Sequence, residues 1–297
     1  MRLLSILIIV LASTVANAGT INTELAKLPR EFNVYSSQSS GTKDTVCRSI
    51  LDIYSKKFNA IPVIIVKKGA GGTIAMEEML KDKKFSVLCS GPSESIYNIT
   101  VFPGHEKEYK MLTMVIILAI GPTTIYTKTD GKFNSINDLQ KKSFITVGFN
   151  AQGPRSIAEI IFQNKDVVWV PFINSVDSLS SLMDGSLDVY IDSGSLEEMA
   201  RANKIKSLGH FGGTPDLLGS DLGFDFPQAA KLPAFVALTT SINNSLDDIE
   251  QLNVELRSII NSAEYAIAIA KIGWVPVSFT VKNSNELAEQ FKSLLKK

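Results

Sequence analysis

The sequence predicts an α/β protein with two lobes, and two observations support this prediction. Strand and helix patterns alternate along residues 32–89, and the same alternation begins again in residues 144–208. Such alternation is typical of parallel-rich sheets that are covered by helices. Two extended segments, Thr123–Thr127 and Phe235–Thr240, are expected to cross between the lobes and to serve as a hinge. Two lobes joined in this way enclose a cleft, which is the expected ligand site.

The first unit contains three predicted strands. Apolar runs predict strands at Phe32–Tyr35, Ile61–Val66 and Phe85–Cys89. Helical patterns follow the first two strands, at Asp44–Phe58 and Thr73–Leu80. This β-α-β-α-β order indicates parallel strands, whose carboxyl-terminal ends lie along one edge of the sheet.

The second unit repeats the order, and a helical tail follows it. Strands are predicted at Phe144–Gly148, Val167–Pro171, Leu187–Ile191 and Ile205–Leu208, and helices at Asp138–Lys141, Pro154–Gln163, Ser175–Met183 and Glu197–Asn203. The tail from Leu246 predicts two or three helices that are interrupted near Gly273–Thr280. If the tail packs on the first unit, lobe 1 comprises residues 19–122 and 241–297, and lobe 2 comprises residues 123–240, crossing strands included.

The first eighteen residues have the pattern of a cleavable signal peptide. Arg2 precedes an apolar run from Leu3 to Leu11, and Ala16-Asn17-Ala18 forms a small-residue cleavage site. The apolar run is about half of the roughly 20 residues that a membrane-spanning helix needs. We therefore expect an exported protein with residues 1–18 removed, and an uncleaved anchor is the alternative. The run Met111–Ile120 is also too short to span a membrane and suits a buried strand.

Composition excludes several classes of function. With 30 basic and 30 acidic residues, the formal net charge is zero, which argues against a nucleic-acid-binding protein. Two histidines and two cysteines are too few for a zinc site built from several such ligands, so neither a metal nor another cofactor is expected. Export permits a disulfide between Cys47 and Cys89, and free buried thiols are equally compatible with the sequence.

Two local patterns approach enzyme motifs without completing them. The stretch Gly69–Ile74 lies between a strand and a helix, as a dinucleotide fingerprint does, but its third glycine is replaced by Ile74. Gly91–Ser95 approaches a nucleophile elbow but ends in serine, and neither His105 nor His210 lies on a predicted strand-end loop. We therefore expect a binding protein and no catalytic residue.

Several ordered stretches resemble one protein family. They are the Gly-rich turn Ile65–Ile74, the strand–Pro–aromatic–helix–Gly–strand segment Val167–Ser193, the strand Ile205–Leu208, the pair Gly223-Phe224 and the late motif Ile272–Val277. In order and spacing these stretches resemble the substrate-binding proteins of tripartite tricarboxylate transporters, known as Bug proteins. The resemblance covers nearly all of the chain after residue 18.

The resemblance implies a fold, a location and a role. It implies a periplasmic-binding-protein fold of the type II-like, Venus-flytrap kind, in a periplasmic monomer that is not embedded in the membrane. The family captures di- or tricarboxylates, or similar organic acids, between the lobes and delivers them to the integral-membrane permease subunits of a tripartite transporter. The alternative is a receptor for an amino acid or another small anion that serves a different transporter or a sensor kinase.

Both the resemblance and the predicted topology place the ligand on loops that follow strands. Helix N-termini on such loops offer backbone N–H groups and a partial positive charge to an anion. The predicted ligand-binding residues are Tyr35, Ser36, Ser39, Ser40, Gly41, Asp44, Ser90, Gly91, Ser93, Asn150, Gln152, Gly153, Arg155, Ser156, Phe172, Asn174, Ser175, Asp192 and Ser193.

Some of these residues also have plain structural explanations. Asp44 suits a helix cap, Arg155 a surface position and Phe172 a core position. Tyr35 either lines the cleft or packs beneath it. Arg155 is the side chain in this set that could pair a ligand carboxylate through two hydrogen bonds.

Overall fold

The computed structural model describes residues 28–97, 104–150, 152–162, 165–172, 175–194, 196–212 and 233–295. The predicted signal peptide and the pair Gly223-Phe224 lie outside the described residues. Among the described residues, no helix combines the length and the apolar character that a membrane crossing requires.

The described residues form eleven strands and ten helices. The strands are β1 (Glu31–Ser36), β2 (Ile61–Val66), β3 (Ser86–Ser90), β4 (Leu112–Gly121), β5 (Thr123–Lys128), β6 (Phe144–Phe149), β7 (Asp166–Pro171), β8 (Val189–Asp192), β9 (Ile205–Phe211), β10 (Ala234–Ser241) and β11 (Val275–Pro276). The helices are α1 (Thr42–Phe58), α2 (Thr73–Lys81), α3 (Glu106–Lys110), α4 (Ile136–Gln140), α5 (Gln152–Ile161), α6 (Ser175–Asp184), α7 (Glu197–Arg201), α8 (Leu246–Ile260), α9 (Ala263–Ala270) and α10 (Val281–Leu295).

The strands form two sheets with mixed directions. The first sheet has the order β11-β4-β10-β3-β1-β2, and β1, β2 and β3 are parallel. The second has the order β7-β6-β8-β5-β9, and β6, β7 and β8 are parallel. The strands β4, β5, β9, β10 and β11 pair in antiparallel fashion. The predicted two-sheet α/β architecture is confirmed, with antiparallel strands added to each parallel set.

The first sheet is covered on both faces. Apolar side chains of α1, α8 and α9 pack on one face around Val115, Leu118 and Leu238. Phe291 of α10 packs with Phe235 and Ile117 on the other face. The long strands β4 and β10 are nearly all buried because both faces are occupied, which explains their continuous apolar sequences.

Most elements lie within a few residues of their predicted positions. The short helix α4 begins after Ser135, whose hydroxyl accepts a hydrogen bond from Asp138 N–H while the Asp138 carboxylate accepts one from Ser135 N–H. This capping box is why a helix of five residues forms there. The structure adds helix α3 and strand β11, for which the sequence pattern gave no prediction, and it has a helical turn at Ser93–Tyr97.

Strand β10 lies in the first sheet, although its residues are included in the predicted lobe 2. The segment Phe235–Thr240 is expected as part of lobe 2, but β10 pairs with β3 and β4 of the first sheet. The chain passes from the first sheet to the second at Pro122, between β4 and β5.

Candidate functional site

A cavity of about 790 Å³ lies between the two sheets. From the first sheet it is lined by residues that follow β1, β2 and β3, and from the second by residues at the ends of β6, β7 and β8. Since each set of three strands is parallel, both sets present their carboxyl-terminal ends to the cavity. This is the edge at which open α/β sheets bind ligands.

Ten of the nineteen predicted ligand-binding residues line this cavity. They are Ser39, Ser40, Gly41, Gly91, Ser93, Asn150, Arg155, Phe172, Asp192 and Ser193. Five of them come from loops of the first sheet and five from loops and helix starts of the second. The predicted placement of the site between the sheets therefore corresponds to a real cavity.

Four predicted residues lie beneath the cavity or beside it. Tyr35 donates a hydrogen bond to Asp82 Oδ2 (3.0 Å), and burial together with that carboxylate raises the pKa of Tyr35 to about 12. Ser36 bonds the backbone of its own loop, and the buried Ser90 hydroxyl lies 2.6 Å from the hydroxyl of Thr239. The hydrogen bonds of these three side chains therefore stabilise the first sheet and its loops.

Asp44 is the fourth of these residues. Both of its carboxylate oxygens accept hydrogen bonds from Arg48 Nε, at 2.9 Å, one turn further along α1. Its carboxylate therefore pairs with a cation of its own helix. Gln152, Gly153 and Ser156 lie in α5 and Ser175 begins α6, but their side chains are not described, and Asn174 lies outside the described residues.

The amino terminus of α1 meets the cavity without a side-chain cap. Gly41 is the N-cap residue with φ of +87°, a conformation that favours glycine, and it has no side chain to bond the first-turn N–H groups. Thr42, the first helical residue, also lines the cavity, and its buried hydroxyl has no hydrogen-bond partner among the described residues. This helix end can donate hydrogen bonds to an anion.

A buried ion pair forms part of the cavity wall next to this helix end. The ammonium of Lys43 contacts Glu94 Oε1, and both side chains are nearly inaccessible to solvent. Ser37 donates a hydrogen bond to the same oxygen (2.8 Å), while Gly91 N–H donates one to Glu94 Oε2 (3.0 Å). The network therefore joins the loops that follow β1 and β3.

Gly72 makes room for this network from the loop that follows β2. A Cβ atom at Gly72 would lie only 2.4 Å from Glu94 Cγ, and its φ of +102° also favours glycine. Neither Lys43 nor Glu94 is among the predicted site residues. The available signals were a lysine two residues after a Ser- and Gly-rich loop and a glutamate four residues after the end of β3.

Aromatic residues form the second-sheet side of the cavity. Phe149 at the end of β6 and Trp169 of β7 pack edge to face, with ring centroids 6.1 Å apart. The Arg155 guanidinium lies over both rings, at 5.1 Å and 5.5 Å from their centroids, and its Nε donates a hydrogen bond to Glu159. Phe172 lines the cavity beside them and is a predicted site residue, whereas Phe149 and Trp169 were not predicted.

Trp274 from the carboxyl-terminal tail lies where the two sheets meet. It lines the cavity and is 3% exposed, and the backbones of Gly121 and Gly194 pack against its ring. A Cβ atom at Gly121 would come within 2.4 Å of the indole, and one at Gly194 within 2.6 Å. The tail motif that carries part of the family resemblance thus contributes a residue to the cavity.

Cys47 and Cys89 form a disulfide, which resolves the alternatives that the sequence left open. Their Cα atoms are 6.3 Å apart, within the usual range for such a bridge. Cys47 lies on α1 and Cys89 on β3, so the bridge joins the two elements whose ends carry Gly41 and Gly91. No cluster of three or more potential metal ligands is found in the described part of the chain.

Comparison with solved structures identifies the fold. The R. palustris protein Rpa4515, solved with adipate, superposes with a TM-score of 0.81 at 18% identity, over 91% of this chain and 96% of that protein. MatC from Rhodopseudomonas palustris, with bound malate, gives 0.76 at 15% identity over 90% and 100% of the two chains. The periplasmic binding protein BugD gives 0.75 at 15% identity over 90% and 97%.

These likenesses define the chain as a protein with the two-lobed periplasmic-binding-protein fold. The predicted fold class is therefore confirmed. No protein-family model and no curated protein sequence matches the chain. BugD carries the name of the protein family that the sequence motifs resemble.

Proposed function

We propose that this protein is an extracytoplasmic receptor of the Bug family that captures a small carboxylate between its lobes for a membrane transporter. The observation that carries the proposal is the cavity between the sheets, which meets the uncapped amino terminus of α1. Structures of the same fold hold adipate and malate, which supports a carboxylate as the ligand. The protein acts by binding, without turnover of the ligand.

The carboxylate is held at the first-sheet side in this proposal. Backbone N–H groups of the first turn of α1 and the hydroxyl of Thr42 donate hydrogen bonds to it, and Ser39 and Ser40 close around it. Hydrogen bonds to a charged group contribute about 1.5–3 kcal/mol each. Three or four of them, less the cost of ordering, supply the roughly −8 kcal/mol of a micromolar complex.

The lobes are proposed to follow the sheets. Lobe 1 then comprises residues 28–121 and 234–295, and lobe 2 residues 123–211. This division moves β10 from lobe 2 into lobe 1. The chain passes from lobe 1 to lobe 2 at Pro122, and closing of the lobes would bury the ligand.

The remaining parts of the proposal concern location and partners. Export with removal of residues 1–18 places the receptor in the periplasm, where it works as a monomer and passes its ligand to the permease subunits of a tripartite transporter. The fold that it shares with periplasmic binding proteins supports this location. The formal net charge is zero for the full sequence and −1 after removal of residues 1–18, which contain Arg2, so attraction of the ligand depends on local groups in the cavity.

A thermal-shift panel of mono-, di- and tricarboxylates, amino acids and oxyanions tests the proposal. A ligand at 100 times its Kd stabilises the native state by about 2.7 kcal/mol, which raises the melting temperature measurably. At least one carboxylate should produce this shift. If only amino acids or inorganic oxyanions do so, the carboxylate assignment is wrong.

A matched pair of variants tests where the carboxylate is held. Ser40 is exposed in the cavity wall next to Gly41, so changes to its side chain should leave the fold intact. Ser40→Asp adds a negative charge beside the proposed carboxylate and should weaken binding at least tenfold. Ser40→Asn introduces an uncharged side chain of nearly the same shape as aspartate, and it should have a small effect on the affinity. Equal affinities of the two variants would show that the anion binds elsewhere.

A further inference from the structure

The wall of the cavity on the second-sheet side is apolar and partly exposed. Trp169 and Phe172 line the cavity and are only half-buried, while Phe149 supports Trp169 from the side. Pro154 and Pro171 extend the same wall. Binding of an apolar group over partly exposed aromatic surface inside a cavity is favourable, because it removes apolar surface from water.

The charges on this side do not favour a second carboxylate. The Arg155 guanidinium carbon lies 5.1 Å and 5.5 Å from the centroids of the Phe149 and Trp169 rings, and its Nε donates a hydrogen bond to Glu159. Asp192, which is 2% exposed, also lines the cavity here, and its carboxylate accepts a hydrogen bond from Leu196 N–H. An anionic group that approached this wall would meet a buried carboxylate and a cation that already has a partner.

Among the described residues on the first-sheet side, no buried cation is left without a partner. The ammonium of Lys43 is neutralised by Glu94 in a contact from which solvent is nearly excluded. Lys68 lines the cavity but is exposed at its rim, where solvent screens its charge. The helix end described above therefore provides room and hydrogen bonds for one carboxylate.

We infer that the ligand is a monocarboxylate with an apolar body, and not a short di- or tricarboxylate. This inference rests on the proposed function. Its carboxylate lies at the amino terminus of α1, and its body, a ring or a hydrocarbon chain, covers Trp169 and Phe172. Burial of roughly 100 Å² of apolar ligand surface at about 25 cal/mol per Å² corresponds to an affinity gain of about 70-fold.

Intrinsic fluorescence gives a direct assay because the protein has two tryptophans and both of them line the cavity. Titrations with 3-phenylpropionate and octanoate are compared with titrations with succinate, malate and citrate, and calorimetry gives each Kd independently. We expect at least one of the two amphiphilic monocarboxylates to bind at least tenfold more tightly than every short polycarboxylate.

Two Phe→Ala variants locate the apolar body. Phe172→Ala should weaken binding of the tighter monocarboxylate at least tenfold. Phe144→Ala removes an exposed ring of the same sheet that does not line the cavity, and it should leave the Kd unchanged. Circular dichroism and the melting temperature show whether each variant is folded, and Phe172→Leu, which keeps an apolar side chain, should recover part of the loss.

The outcomes separate this inference from the proposed function. Tighter binding of succinate, malate or citrate than of both monocarboxylates overturns the inference and leaves a carboxylate receptor. Absence of binding by every carboxylate overturns the proposed function as well. A loss in Phe144→Ala equal to that in Phe172→Ala also overturns the inference, because the apolar wall would then not be the contact surface.

Discussion

The disulfide between Cys47 and Cys89 allows a quantitative prediction. It joins α1 to β3 and connects residues 42 positions apart in the chain. In the chain-entropy account, a link that closes a loop of this length removes about 13 cal/mol/K of entropy from the unfolded state. This corresponds to a contribution of about 4 kcal/mol to the free energy of unfolding at 25 °C.

The double variant Cys47→Ala/Cys89→Ala tests this value. Its free energy of unfolding should be lower than that of the native protein by about 4 kcal/mol, and its melting temperature lower by roughly 8–16 °C. Urea titrations followed by circular dichroism measure the first quantity, and scanning calorimetry the second. Wild-type protein unfolded in a strong reductant is the control, and it should behave like the variant.

Two results would refute the reasoning. If the reduced wild-type protein lost less than about 1 kcal/mol, the unfolded chain would not be constrained by the link as the entropy account requires. If the variant lost far more than the reduced wild-type protein, the missing sulfur atoms themselves, and not the link, would carry the stability.

Three further perturbations test the ion pair, the glycine turn and a buried histidine. Lys43→Met leaves the Glu94 carboxylate buried without its cation and should cost about 3–5 kcal/mol in urea titrations, of which Glu94→Gln in the same chain should restore most. Gly72→Ala should cost more than about 2 kcal/mol, because left-handed strain adds to the clash with Glu94. Burial lowers the pKa of His210, so the unfolded chain binds the proton more tightly. Stability should therefore fall as the pH drops below about 6.5, and His210→Asn should flatten this dependence in thermal scans between pH 5 and 8.

Each perturbation has its own control. Gly185 also has a positive φ, of +86°, but its added Cβ would meet no atom within 4 Å, so Gly185→Ala reports left-handed strain alone. Equal losses for both alanine variants would contradict the clash at Gly72. A Lys43→Met/Glu94→Gln chain no more stable than Lys43→Met would contradict the ion-pair argument. If His210→Asn kept the full slope with pH, a different group would be responsible for it.

The strands and helices were predictable because local signals agree with the tertiary structure. The strand prediction for Ile61–Val66 coincides with β2, and the helix prediction for Asp44–Phe58 lies within α1 (Thr42–Phe58). The sheet to which β10 belongs was not predictable in this way. An apolar run fits a central strand of either sheet, and its partners are more than a hundred residues away for both β3 and β4.

The location of the cavity was easier to predict from the sequence than the chemical groups that line it. Strand-end loops follow from the topology, and ten residues chosen on that basis line the cavity. The contribution of Trp169 depends on which face of β7 turns toward the other sheet, and that of Glu94 depends on space left by Gly72 in a different loop. Both depend on contacts between elements, and a single sequence does not record such contacts.

The position of β10 between β3 and β4 bears on the order in which the two sheets can assemble. The five described strands of the second sheet come from residues 123–211, so these strands can pair once this stretch is available. The first sheet lacks an inner strand until residue 241 has emerged, which leaves facing edges of β3 and β4 without partners. Open strand edges invite association with other chains. We therefore expect the second sheet to fold first and the first sheet to be the part most exposed to aggregation while the chain is incomplete.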